Sequence, residues 1–164
     1  IPVITDIASE FRYRDPFVDE NTLLILVSQS GETADTLASL RYAKERGARI
    51  LSVTNVVGSS IARESDDVFY TWAGPEIAVA STKAYETQLI AMYILGIYFG
   101  EIKGTINNEL SEALKEELMN LSEKVKEILT QKEKLQKYAS KNYMDKDVFF
   151  LGRGLDYAVA LEGH

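Results

Sequence analysis

The chain has 164 residues, 46% of them hydrophobic and 26% charged, with a formal net charge of −7. That balance belongs to a folded globular chain rather than a disordered one, and the length admits one ordinary domain with a real core. The acidic excess argues against a nucleic-acid footprint, the absence of cysteine excludes disulfides and thiolate chemistry, and a single histidine at the last position, His164, excludes a histidine-rich metal site and an internal imidazole base.

The opening residues, Ile1-Pro2-Val3-Ile4, have no initiator Met and no basic n-region, so they are not a signal peptide. They read as a weak strand entered in mid-protein, and the chain is expected to be a fragment. Three apolar runs predict buried parallel strands: Thr22–Val27, Ala48–Val53 and Val148–Leu151. Branched runs without polar alternation suit a sheet covered on both faces. Asp67–Tyr70 predicts a weaker strand. Between the first two strong runs, Ala34, Leu37, Leu40 and Ala43 recur at helical spacing over Thr33–Arg46, and Gly47 follows as a C-cap.

Ser81–Phe99 predicts a long buried helix with Ser81 as a possible N-cap, too short in its apolar part to span a bilayer. From Asn107 to about Ala139, leucines, Val125 and Ile128 repeat every three or four residues. This predicts one amphipathic helix, or two broken near Thr130. Leu151-Gly152-Arg153-Gly154 then follows a strand and precedes a helical Tyr157–Glu162. The expected fold class is α/β, a three-layer α-β-α sandwich with a parallel sheet, incomplete at both ends.

Chemistry is expected where strands end, since ligands of open parallel sheets bind outside the carboxyl ends. Ser28-Gln29-Ser30-Gly31-Glu32-Thr33 follows the best strand and opens a helix. A helix start offers unpaired amides and a positive dipole end to an anion. The hydroxyls of Ser28, Ser30 and Thr33 and the amide of Gln29 add neutral donors, and Gly31 permits close backbone approach. The competing reading is that Ser30 or Thr33 merely caps the helix. Neither a Walker loop nor a complete dinucleotide fingerprint is present, so no nucleotide cofactor is expected. Two further loops, Asn55–Ser60 and Gly74–Lys83, also follow strands and are rich in Ser and Thr. Together the three suggest one polyol-phosphate cleft.

Ser28-Gln29-Ser30-Gly31-Glu32-Thr33-Ala34-Asp35-Thr36-Leu37 resembles the signature of sugar isomerase (SIS) domains. The blocks Ala8–Arg14, Asn55–Glu64, Gly74–Ala84 and Leu151–Gly163 narrow the resemblance to the glutamine–fructose-6-phosphate aminotransferase (isomerizing) family. The resemblance implies a sugar-phosphate-binding isomerase region, in an enzyme that makes glucosamine 6-phosphate from fructose 6-phosphate and glutamine. It implies that Ser28, Gln29, Ser30 and Thr33 form the sugar-phosphate loop and that Val79, Ala80 and Ser81 lie beside the sugar. Glu162 matches a glutamate near the active site. The other catalytic residues are expected outside this chain, leaving it inactive alone. Residues 1–140 would be a first SIS subdomain lacking its opening strand and Gly-Thr-Ser loop, and 141–164 the start of a second.

The family's glutaminase cysteine has no counterpart here, and His164 stands where the family has a small residue. The resemblance further implies a cytoplasmic homodimer that needs no cofactor or metal and binds no nucleic acid or membrane. Two alternatives remain open: a non-catalytic SIS module binding a phosphosugar for regulation, and a phosphosugar isomerase or deglycase.

Overall fold

The structure is a computed structural model that describes residues 2–77 and 81–163. The chain divides into two compact units, Ile1–Leu114 and Lys115–His164.

In the first unit a short helix, α1 (Ala8–Phe11), and a 3-10 turn lead to β1 (Leu23–Ser28), α2 (Ala34–Lys44), β2 (Arg49–Thr54), α3 (Ser60–Glu64), β3 (Asp67–Tyr70) and α4 (Lys83–Ile102). The strands form one parallel sheet in the order β1-β2-β3, with Leu24 beside Ile50, Val27 beside Val53, and Val53 beside Phe69. Parallel pairing brings all three strand ends to one rim, where the loops beginning at Gln29, Asn55 and Thr71 leave the sheet.

The apolar runs form strands because both faces of the sheet are covered. On one face Leu24, Leu26 and Ile50 pack with Leu37, Leu40 and Ala43 of α2 and Ile61 of α3. On the other, Ile25, Leu51, Val53 and Phe69 pack with Ala91, Met92, Leu95 and Phe99 of α4. This is a three-layer α/β/α arrangement with an open parallel sheet, the fold class expected from the sequence. Alternation along each strand separates the two cores. The interior also carries hydroxyls: Ser28, Ser39, Ser52, Thr54 and Ser59 are all buried. Ser39 Oγ donates to the carbonyls of Asp35 and Ala8, at 2.9 and 3.1 Å, tying α1 to α2. Among the described residues Ser52 Oγ alone is buried without a hydrogen-bond partner.

The opposite rim is held by charge. Arg49 pairs with Asp67 at 2.7 Å, Lys44 with Asp66 at 3.3 Å and Arg41 with Glu64 at 2.6 Å. The Ile50 N–H donates to Asp66 Oδ2 at 2.8 Å, and the Asp66 N–H returns a bond to the Ile50 carbonyl at 3.1 Å. The Ile50 amide is the largest cause holding the Asp66 carboxyl below the usual aspartate range. The Arg41 guanidinium does the same for Glu64, and that of Arg49 for Asp67.

Three expectations need correction. Pro2–Ile4 forms no strand, and Val3 and Ile4 are exposed with no ladder partner among the described residues. Val148–Leu151 forms none either, although its sequence resembles β1. A parallel strand exists only when a neighbour satisfies its amides, and Phe149 and Leu151 are exposed. The amphipathic stretch is three helices, α5 (Asn108–Met119), α6 (Leu121–Leu129) and α7 (Lys132–Asn142). It breaks at Asn120 as well as near Thr130. At the second break the Thr130 hydroxyl donates to the Glu127 carbonyl at 2.6 Å, a local bond that competes with helix continuation.

The unit boundary falls within α5, whose Ser111 is buried in the first unit and donates to Glu101 Oε1 at 2.5 Å. In the second unit, α6 and α7 are followed by an extended segment and α8 (Leu155–Glu162). Val125, Ile128, Leu135 and Phe149 remain largely exposed there. Among the described residues, no helix is long and apolar enough to cross a membrane, and no three His, Cys, Asp or Glu side chains are grouped to hold a metal ion.

Candidate functional site

The loop from Ser28 to Thr33 is built from inside the protein outward. Ser28 is buried at the end of β1, and its Oγ accepts from the Gly31 N–H at 3.1 Å and bonds Thr33 Oγ1 at 3.2 Å. Gly31 is buried with φ +65°, a left-handed backbone. A Cβ there would sit 2.1 Å from Ser59 Oγ and 2.8 Å from Thr54 Oγ1. The close approach at Gly31 is to β2 and the next loop. The Ile61 N–H donates to the Gly31 carbonyl at 2.9 Å, and the Asn55 N–H to the Gln29 carbonyl at 3.1 Å. The first loop is thus fastened along its length to the second.

Three helices start at this rim, and their starts are satisfied differently. At α3, Ser59 Oγ accepts from the Ala62 N–H at 3.4 Å, and Glu32 Oε1 accepts from the Ser60 N–H at 2.7 Å. At α4, Glu76 Oε2 accepts from the Ala84 N–H at 3.2 Å, while Thr82 at the cap position makes no side-chain cap. Ser81 is exposed and does not cap α4; Glu76, eight residues before Ala84, does so instead. Both helices hold a carboxylate of their own chain against the positive dipole end.

At the start of α2 no carboxylate bonds a helix amide among the described residues. Thr33 is its cap residue but makes no side-chain cap, because its hydroxyl turns to Ser28. Ser30 Oγ accepts from the Glu32 N–H at 3.2 Å, short of the helix. Asp35 lies in the first turn, yet no hydrogen bond joins its carboxylate to the helix amides among the described residues. The capping alternative for Ser30 and Thr33 is therefore not what the loop does. Because the Ser30 hydroxyl accepts from an amide, its own proton remains available to donate. The Gln29 side chain is half-buried and makes no hydrogen bond among the described residues.

The Ser60 hydroxyl and amide hold the Glu32 carboxyl below the ordinary glutamate range, with Arg63 adding attraction. A carboxyl depressed on folding contributes stability above its unfolded pKa and loses it as pH falls through the folded one. The Glu32–Ser60 link is thus expected to persist through mild acid and release only below the usual glutamate range. In an NMR titration, the Ser60 amide should follow that late step and lose it in Glu32→Gln. A Ser60 amide that titrates at an ordinary glutamate pKa in the parent would contradict the link.

Val79 and Ala80 lie outside the described residues. Glu162 ends α8 in the second unit, beside a hollow of about 470 Å³ that it lines with Phe150, Leu151, Asp156 and Val159. Glu32, Ser59 and Glu76 do work at the rim that sequence reasoning did not assign. Ser59 carried a local signal as a hydroxyl before a short helix. Glu32 and Glu76 carried none, since their partners lie 28 and 8 residues away.

The SIS domain family profile matches residues 1–98, more than half of the chain. The chain belongs to the SIS domain family. It is 67% identical over 163 residues to the glutamine–fructose-6-phosphate aminotransferase [isomerizing] of Clostridium tetani, which covers 99% of this chain and 27% of that protein. It is 48% identical over 164 residues to the same-named protein of Streptomyces coelicolor, covering 26% of it. A solved structure described as the C-terminal domain of glucosamine-fructose-6-phosphate aminotransferase from Francisella tularensis superposes with a TM-score of 0.95 at 41% identity. It covers 99% of this chain, and 46% of that chain is matched. This SIS chain spans about a quarter of the length of the curated relatives it matches.

Proposed function

We propose that this SIS chain holds the phosphate of a phosphosugar at the start of α2, as part of the isomerase region of an enzyme that makes glucosamine 6-phosphate from fructose 6-phosphate and glutamine. One observation carries the reading: of three helix starts at the rim, two have an amide bonded to a carboxylate of the chain, and at the third, α2, no carboxylate bonds an amide among the described residues. Amides at a helix start bind a phosphate without a cationic side chain. The names of the relatives supply the substrate class.

In this reading Ser28 and Thr33 shape the loop, Ser30 and Gln29 donate to the phosphate or sugar, and Val79, Ala80 and Ser81 line the sugar. Isomerisation of an open-chain sugar moves a proton between C1 and C2, which needs a positioned base. The chain's part is to fix the substrate so that such a base reaches it, and the base itself comes from elsewhere in the enzyme. Glu162 is the carboxylate that the resemblance puts near the sugar. Residues 1–140 belong to one SIS subdomain and 141–164 to a second, and the enzyme works as a homodimer. Exposed aromatic side chains on α4, Tyr93 and Tyr98, support a covered rather than solvated outer face.

Calorimetry on the intact protein tests the proposal. Glucosamine 6-phosphate is expected to bind and unphosphorylated glucosamine not to bind measurably. Ser30→Ala should weaken the phosphosugar by about tenfold, the size of one charge-assisted hydrogen bond. Equal affinity for both sugars, or an unchanged affinity in Ser30→Ala, would overturn it.

A further inference from the structure

Beyond the loop that meets the phosphate, one side chain at the rim makes more connections between loops than any described above. Asn55 follows β2. Its Nδ2 donates to the Gly74 carbonyl at 2.7 Å, while its Oδ1 accepts from the Ala73 N–H at 2.8 Å and from the Thr71 hydroxyl at 3.3 Å. One amide orientation alone satisfies an N–H donor and a carbonyl acceptor together, so these partners fix the side chain. Its own backbone N–H meanwhile donates to the Gln29 carbonyl in the first loop. Asn55 is therefore bonded to the phosphate loop by its main chain and to the segment 71–74 by its side chain.

The segment it grips does not lie at rest. Trp72, the middle of the gripped residues, has φ +54°, in the left-handed region that non-glycine residues avoid. The residues on either side of it, Thr71, Ala73 and Gly74, are the ones bonded to Asn55. Trp72 is also mostly exposed, with its ring tilted against Tyr70 at 5.8 Å, so burial of its side chain does not hold the turn. Strained backbone persists only where its surroundings over-determine it. Here the surroundings are the Asn55 side chain on Thr71, Ala73 and Gly74, with the Thr71 N–H also donating to the Thr54 carbonyl at 3.0 Å. Two residues further on, Glu76 caps α4, so the direction in which the chain leaves this turn also sets the entry to that helix.

We infer that Asn55 is a positioning residue: by clasping Thr71, Ala73 and Gly74 it sets where residues 71–77 stand relative to the loop Ser28–Thr33, so recognition of the sugar depends on it while recognition of the phosphate does not. The inference rests on the proposed phosphosugar site and adds a division of labour within it. Asn55 touches neither phosphate nor sugar in this account. It couples the two loops that do, which is why its loss separates two affinities that a loss of fold would lower together.

The test compares the intact parent protein with Asn55→Ala and Asn55→Asp. Asn55→Asp retains the acceptor for Ala73 and Thr71 and loses the donor to Gly74. Two measurements are made, calorimetric affinity for glucosamine 6-phosphate and for inorganic phosphate, and amide exchange in peptides covering 71–77 and 49–54. In Asn55→Ala, affinity for glucosamine 6-phosphate is expected to fall about tenfold, inorganic phosphate to bind as before, and exchange to quicken in 71–77 but not in 49–54. Asn55→Asp should fall between parent and Asn55→Ala, and it carries the test if Asn55→Ala does not fold.

Unchanged glucosamine 6-phosphate affinity in both variants overturns the positioning role and leaves the phosphosugar site standing. An equal fall for both ligands overturns it too, since the residue would then support the fold of the phosphate loop itself. A parent protein that binds neither ligand overturns the phosphosugar reading. In that case the exchange of 71–77 still decides whether Asn55 is the clasp.

Discussion

Gly31→Ala is expected to destabilise the first unit by about 2–5 kcal/mol, the sum of a left-handed backbone penalty and an overpacked contact. The backbone at φ +65° disfavours any Cβ, and the Cβ would stand 2.1 Å from Ser59 Oγ. Ser59 cannot simply turn away, because its hydroxyl caps α3 and the residue is buried. The Thr54 hydroxyl, 2.8 Å from the same Cβ, blocks a second way out. Relief must come from moving the loop, which would break the Ile61–Gly31 and Asn55–Gln29 backbone bonds. Denaturant unfolding of the parent and of Gly31→Ala measures the difference. A loss below about 1 kcal/mol, the size of an ordinary substitution, would show that the two loops are not locked together as described.

Leu40→Ala is expected to lose a similar amount, about 2–5 kcal/mol, for a different reason. Leu40 is fully buried between α2 and the sheet, in a cluster with Leu26, Ala43, Ile50 and Ile61. Removing its side chain forfeits transfer free energy and leaves a cavity that two strands and two helices cannot close. The consequence reaches the rim, because this packing determines where the start of α2 stands. Leu135→Ala, at an exposed position of α7, is the control and should change stability by less than about 0.5 kcal/mol. Comparable losses from the two substitutions would mean that the core of the first unit lies elsewhere.

Much of the fold was legible because its signals are local. Leu23 to Val27 and Ile50 to Val53 are runs dominated by branched residues; helices cover both faces of the second, while Leu23 and Val27 of the first remain exposed. The helix between them announced itself through Leu37, Leu40 and Ala43, all of which face the sheet. Val148–Leu151 carries the same local signal and forms no strand. Pairing is a property of two segments, and the sequence of one cannot report whether the other is in register beside it. The break at Asn120 was hidden for a similar reason, since the leucine spacing continues across it undisturbed.

The site divides along the same line. Ser28, Ser30, Gly31 and Thr33 stood out as a hydroxyl-rich turn between strand and helix. What separates an uncapped helix start from a capped one is the direction of two hydroxyls, and that follows from the bond between Ser28 and Thr33 and from the bond Ser30 accepts. Asn55 was visible only as part of a turn. Its reach to Gly74, 19 residues onward, comes from the parallel sheet, which sets consecutive strand ends side by side.

The uncapped start of α2 also bears on how an anion arrives. No Lys or Arg occurs in residues 28–33, and the chain as a whole carries −7. Amide dipoles and hydroxyls act at contact range, whereas net charge acts over distance. In the proposed site, a loop of this kind does not draw anions in from solution; it retains those that diffusion delivers. Polyanions, whose affinity grows with each cationic contact they make, gain little from it. In the proposed site, a single phosphate on a small flexible sugar needs only the turn of amides it touches, so the same lack of Lys and Arg in the loop that slows capture also selects for small ligands.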